Sequence, residues 1–129
     1  MDWGQVPPEL EQRLRAICLA LPETHEEQAW NGRRWMVRRR TFAHVFVVEE
    51  AGQVSRPMMQ FRSSPPELDA LVHAGHPFFK AGWGHNVLGM VFDDAVDWDE
   101  VAELIADSYC AQAPKKLAAL VSGGDTPPQ

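Results

Sequence analysis

Two stretches of period-two patterning, separated by three residues, limit what this chain can fold into. Arg34-Trp35-Met36-Val37-Arg38 and Phe42-Ala43-His44-Val45-Phe46-Val47-Val48 both read as β-strands. The link through Arg39-Arg40-Thr41 is too short for a parallel crossover, so the two strands pair antiparallel. That link lacks the usual Gly or Asn, which leaves its turn type open. Ala51-Gly52-Gln53 makes the next turn, and Pro57 to Phe61 a third strand. Pro57 has no backbone donor and belongs at that strand's start or on an edge. Phe78 to Trp83 and Val87 to Phe92 read as extended, loosened by Gly82, Gly84 and Gly89.

Helical patterning brackets these strands. Leu10, Leu14, Ile17, Cys18 and Leu21 form one stripe, with Pro7 and Pro8 suited to the first turn and Pro22 barring continuation, so a helix is expected over 8–21. His25-Glu26-Glu27 then reads as a polar loop. Ser64-Pro65-Pro66-Glu67 is a capping-box start, Leu68, Leu71 and Val72 supply the stripe, and Gly75 ends it. Asp97-Trp98-Asp99-Glu100 repeats that start, followed by an inner stripe of Val101, Leu104, Ile105 and Ser108 or Tyr109. Pro114 opens a short terminal helix with Lys115, Lys116, Leu117 and Leu120. The order α-β-β-β-α-β-β-α has enough helix to cover one sheet face. The expected fold class is therefore α+β, a two-layer antiparallel sheet with helices on one face. It would be a single domain over 1–121, followed by a disordered tail at 122–129.

Composition excludes several classes. Hydrophobic residues make up 45% and charged residues 23% of the 129, which argues against wholesale disorder, a coiled coil or a collagen-like repeat. No apolar run approaches the ~20 residues of a membrane span. Met1-Asp2-Trp3-Gly4-Gln5 has no signal-peptide character, and Cys18 and Cys110 form no CxxC motif. The expectation is a cytoplasmic protein with two reduced thiols and no membrane partner.

Charge is unevenly spread. The net charge is −6, yet Arg33, Arg34, Arg38, Arg39, Arg40, Arg56 and Arg62 face only Glu49 and Glu50 between positions 33 and 62, a surplus of five positive charges. These seven arginines are expected to form a cationic face that binds nucleic acid or another anion, because guanidinium forks match phosphate geometry. Pairing with the chain's many acids is the alternative. Alternation places Arg34, Met36 and Arg38 on one side of their strand and Trp35 and Val37 on the other. The strands carry more aromatic and Met residues than one buried face needs. Trp35, Trp83 and His85 are the ones that would stack on a base or line a face for a flat ligand.

Catalytic and metal signals are weak. His73 and His76 lie around a helix end, no third ligand has diagnostic spacing, and no metal or cofactor is expected. No G-x-S-x-G, P-loop or G-x-G-x-x-G occurs. Cys18 falls on an apolar stripe as an inert thiol, and Cys110 is the more exposed of the two to chemistry.

The order of several segments resembles the MmcQ/YjbR-like family. They run from Leu14-Arg15-Ala16-Ile17-Cys18-Leu19-Ala20-Leu21-Pro22-Glu23 through Ala29-Trp30, Thr41-Phe42-Ala43, Ser64-Pro65-Pro66-Glu67-Leu68 and His76-Pro77-Phe78-Phe79-Lys80. They close with Val96-Asp97-Trp98-Asp99-Glu100-Val101, Ser108-Tyr109 and Ala113-Pro114-Lys115-Lys116-Leu117. The likeness spans about residues 8–121, and Ala81-Gly82-Trp83-Gly84-His85-Asn86 departs from the family pattern. The resemblance implies a secretion-chaperone-like α+β fold, a double-wing architecture and DNA binding without catalytic residues. Two alternatives are carried: a small-molecule binding or sequestering protein holding an aromatic ligand on the open sheet face, and a protein-interaction domain, monomeric or homodimeric.

Overall fold

The computed structural model describes residues 6–29, 32–48, 56–75, 77–80, 86–93 and 96–122. Its elements are α1 (Pro8–Leu19), β1 (Thr24–Gln28), β2 (Arg33–Val37), β3 (Arg40–Val48), β4 (Arg56–Arg62), α2 (Pro65–Ala74), β5 (Phe78–Lys80), β6 (Val87–Val91), α3 (Trp98–Gln112) and α4 (Lys115–Ser122). The six strands form one sheet in the order β1-β2-β3-β4-β6-β5, with every neighbouring pair antiparallel. The helices lie on one face. Leu14 and Cys18 of α1, Leu68 of α2 and Val101, Leu104, Ile105 and Tyr109 of α3 share a core with Trp35, Val37, Val45, Met59, Phe61, Leu88 and Met90 of the sheet. This is the two-layer α+β class expected from the sequence.

One strand departs from expectation. Thr24–Gln28 is not a polar loop but the edge strand β1, in register as Glu26↔Trp35 and Glu27↔Arg34. Apolar periodicity does not mark it because its side chains meet those of β2 through charge pairs rather than apolar burial, and a charged edge also discourages further strand addition. The first helix stops at Leu19 instead of Leu21. There the Thr24 hydroxyl donates to the carbonyls of Cys18 and Leu21, both at 3.0 Å, satisfying groups that another helical turn would have used.

A bulge shapes the opposite end of β2 and β3. Trp35 pairs with Ala43 and Met36 with Thr41, leaving Phe42 as the extra residue. Phe42 is therefore buried alongside Ala43 and meets Tyr109 edge-on, ring centroids 5.5 Å apart at 88°. The buried Ser108 hydroxyl donates to Phe42 O at 2.6 Å and accepts from Arg62 N at 2.7 Å, tying α3 to β3 and β4. Gln112 Nε2 donates to Thr41 O at 3.0 Å, so the last turn of α3 holds the hairpin.

The helix starts follow the sequence with one change. Asp97 caps α3, its carboxylate accepting from the backbone of Asp99 (3.0 Å) and Glu100 (3.3 Å). At α2 the Ser64 side chain makes no cap, and Ser63 Oγ instead donates to Glu67 Oε1 at 2.9 Å. Gly75 ends α2 with φ 86°, a left-handed conformation that glycine adopts without a Cβ clash.

Glu26 joins the two layers at the β1 edge. Its Oε1 accepts Arg15 Nε at 2.7 Å and the indole N–H of the fully buried Trp35 at 2.9 Å; its Oε2 lies 3.1 Å from Arg15 Nη2 and 3.2 Å from Arg33 Nη1. The Arg15 hydrogen bond, against the opposing effect of burial, holds this carboxyl below the usual carboxylate range. A lowered folded-state value means stabilisation is present above the unfolded value, ordinarily 4.5 for glutamate, and is lost as pH falls through the folded one. Glu26→Ala should therefore cost about 2 kcal/mol at neutral pH by removing the carboxylate that pairs with Arg15 and Arg33 and by leaving a buried indole donor unpaired. The deficit against wild type, read from urea melts, should shrink as the pH is lowered below that range. An equal deficit at every pH would refute the assignment.

Candidate functional site

The two-residue turn Arg38-Arg39 closes β2 onto β3, with Val37 opposite Arg40. Arg38 has φ 58° and Arg39 does not share the positive sign, the pattern of a type II′ hairpin turn in which glycine normally takes the first central position. An arginine there costs on the order of 1 kcal/mol of backbone strain. The turn projects three consecutive exposed guanidinium side chains, Arg38, Arg39 and Arg40. Across from them the end of α3 and the start of α4 come together, and Arg38, Arg39, Arg40, Gln112, Ala113 and Pro114 line a cleft of about 680 Å³. The chain leaves this cleft through Pro114 into Lys115 and Lys116, both exposed.

The seven arginines expected to converge divide into groups. Arg33 lies 3.3 Å from Glu11 and 3.2 Å from Glu26, and Arg34 lies 2.9 Å from Glu27, so the two on β2 are neutralised by carboxylates on α1 and β1. Arg62 donates to Asn86 Oδ1 at 2.7 Å. Arg56 is exposed and sits opposite Val48, the far end of β3 from Arg40. Eight residue steps of strand put the two ends of β3 roughly 26 Å apart. At the hairpin, Arg38 is shared with Glu23 at 3.2 Å, and Arg39 and Arg40 make no ion pair among the described residues. The single cationic face of the sequence reading thus contracts to the hairpin tip and its cleft.

The proposed stacking residues are also resolved in part. Trp35 is fully buried in the core, out of reach of a base or ligand, while Trp83 and His85 lie outside the described residues, as do Glu49 and Glu50. The uncovered face carries a lateral row in register, Glu27, Arg34, His44, Gln60, Gly89 and Phe79. The Phe79 ring lies over Gly89, where an added Cβ would come within 2.3 Å of it, so this surface is flattened by an aromatic ring. Phe42, Met59, Phe61 and Phe78 are core residues, which accounts for much of the aromatic and Met surplus.

Neither cysteine is activated. Burial pushes the Cys18 thiol far up, and burial together with Asp107 raises that of Cys110, whose sulfur lies 3.8 Å from Ala118 O. Among the described residues no three His, Cys, Asp or Glu side chains are grouped to hold a metal ion, and no helix is long and apolar enough to cross a membrane.

Fold and site together define a two-layer α+β protein with a cationic cleft at one end of its sheet. A family model, YjbR, matches residues 19–111, well over half of the chain, and the chain belongs to that family. Among solved structures it is similar to the crystal structure of the Deinococcus radiodurans protein DR2400, of domain family DUF419, with a TM-score of 0.63 and 17% sequence identity over 76% of this chain and 74% of that one. That likeness is one of fold. No curated protein matches the chain.

Sequence reasoning identified the hairpin arginines but missed Gln112, which borders the cleft and anchors the hairpin through Thr41. Its signal, a polar residue two before Pro114 at a helix end, is too common to single out. Gln112→Ala should cost about 1 kcal/mol. It should also speed amide exchange in the segment 38–41 while exchange in α1 stays unchanged. Equal acceleration in both would refute the tether.

Proposed function

We propose that this chain is a non-enzymatic DNA-binding member of the YjbR family whose phosphate contacts come from the β2–β3 hairpin. The observation that carries the reading is the cleft in which Arg38, Arg39 and Arg40 face the α3–α4 junction, with Arg39 and Arg40 free of ion pairs among the described residues. Lys115 and Lys116 extend the same end of the molecule. Guanidinium groups keep their charge at any working pH and grip phosphate oxygens through paired N–H donors. Such contacts position a backbone without reading base edges, so sequence preference should be small. The family assignment brings no reaction with it.

Arg39, Arg40, Lys115 and Lys116 would neutralise about four phosphates, giving a slope of log K against log salt of roughly −3.6 on duplex DNA. The affinity belongs to the non-specific range, about 10⁻⁴–10⁻⁶ M at physiological salt. Fluorescence anisotropy of a labelled duplex, followed across salt concentrations, tests this. Arg39→Ala/Arg40→Ala should weaken binding at least tenfold in dilute salt and halve the slope, whereas Arg34→Gln, whose guanidinium is already matched by Glu27, should change neither. No binding in dilute salt, or indifference to the hairpin pair, removes the reading.

A further inference from the structure

Among the described residues, two that are not glycine have left-handed φ: Glu23 at 55° and Arg38 at 58°. They come from different parts of the chain, the turn after α1 and the tip of the hairpin, and their side chains meet at 3.2 Å. Glu23 is held in place from both sides. Pro22 before it accepts the Tyr109 hydroxyl at 2.6 Å, and the Thr24 hydroxyl after it is bonded to Cys18 O and Leu21 O. The turn is therefore fastened to α1 and to the core helix α3, and its carboxylate is aimed at one of the three guanidinium groups lining the cleft. Left-handed backbone is uncommon for both residue types, and outliers of this kind mark sites where surrounding structure imposes a conformation.

A carboxylate oxygen against an arginine Nη2 occupies the place that a phosphate oxygen would take, since both are anionic acceptors for the same N–H donors. Both side chains are about half exposed, 51% for Arg38 and 54% for Glu23, so the pair is weak enough to be exchanged. We propose that Glu23 is a built-in counter-ion that competes with the ligand phosphate for Arg38 and so sets the affinity of the cleft. This rests on the phosphate-binding reading above and adds to it the residue that limits it. With Glu23 in place Arg38 contributes little to binding, and a ligand gains the third arginine only by displacing the carboxylate.

The test measures binding of the same labelled duplex by wild type, Glu23→Gln, Glu23→Gly, Arg38→Ala and Glu23→Gln/Arg38→Ala, with Glu103→Gln on α3 as a control for net charge. Glu23→Gln should tighten binding about two- to five-fold in dilute salt and steepen the salt slope by about 0.9, one further phosphate. Glu23→Gly, which suits the left-handed backbone, should give the same gain, so that any folding defect of one variant does not decide the result. The gain should vanish in the Arg38→Ala background, and Glu103→Gln should give a clearly smaller one. Unchanged or weaker binding by both Glu23 variants overturns the proposal while leaving the phosphate reading intact. An equal gain with Arg38 absent, or with Glu103→Gln, also overturns it by reducing the effect to net charge. Failure of wild type to bind in dilute salt overturns both.

Discussion

The pairing of an acidic edge strand with an arginine-rich neighbour governs how charge is distributed in this protein. Because β1 runs antiparallel to β2, Glu27 falls opposite Arg34, and Glu26 sits opposite Trp35, beside Arg33 and under Arg15 of α1. One carboxylate thus satisfies a buried indole and two guanidinium groups, which is why the edge strand, the sheet and the first helix form one unit at this end. The same pairing consumes the positive charge along the strand. Where β1 begins, at Thr24 opposite Val37, neutralisation stops except for Glu23, and the arginines beyond the strand remain available.

What holds those arginines in position is polar chemistry in an otherwise apolar core. The bulge at Phe42 turns that ring toward Tyr109, and Ser108 on the same helix spends its one donor and an acceptor on the two strands beneath it. A buried hydroxyl satisfied on both sides fixes register more narrowly than apolar contact alone. One turn further on, Gln112 reaches Thr41, so the hairpin base is fastened to α3 while its tip stays exposed. The hairpin thus presents its long cationic side chains to solvent from a base that is fastened to the core helix.

Most of the fold was legible because apolar periodicity carries it. The stripes of α1 and α3, the glycine that ends α2 and the Asp97 cap all appear where local patterning places them. β1 was not legible, since Thr24–Gln28 has no apolar face and is a strand only by virtue of its pairing with Arg33–Val37, five to thirteen residues away. Missing it had a direct consequence for the site. Counting charge between positions 33 and 62 leaves out Glu11, Glu23, Glu26 and Glu27, the carboxylates that cancel Arg33, Arg34 and part of Arg38. A charge window in sequence is a guide to surface potential only where the neighbours in space lie inside the window.

The remaining acids show how a molecule of net charge −6 still presents a cationic end. Asp99, Glu100, Glu103 and Asp107 all lie on α3, and Asp107 is raised above its ordinary value by burial and by the charges of Glu67 and Glu103, which places α2 and α3 acids in one field. From its acidic first turn to Gln112 at the cleft, a helix of 15 residues rises about 22 Å. That separation exceeds the Debye length of about 8 Å at physiological ionic strength. At such salt the cleft is screened from the acids of that first turn but not from Asp107, which lies five residues, about 7.5 Å of helix rise, from Gln112; in dilute salt, with screening over about 30 Å, all of these acids act on it. The acidic first turn of α3 therefore does not cancel the hairpin at physiological salt, and positive potential is confined to that one end of the molecule.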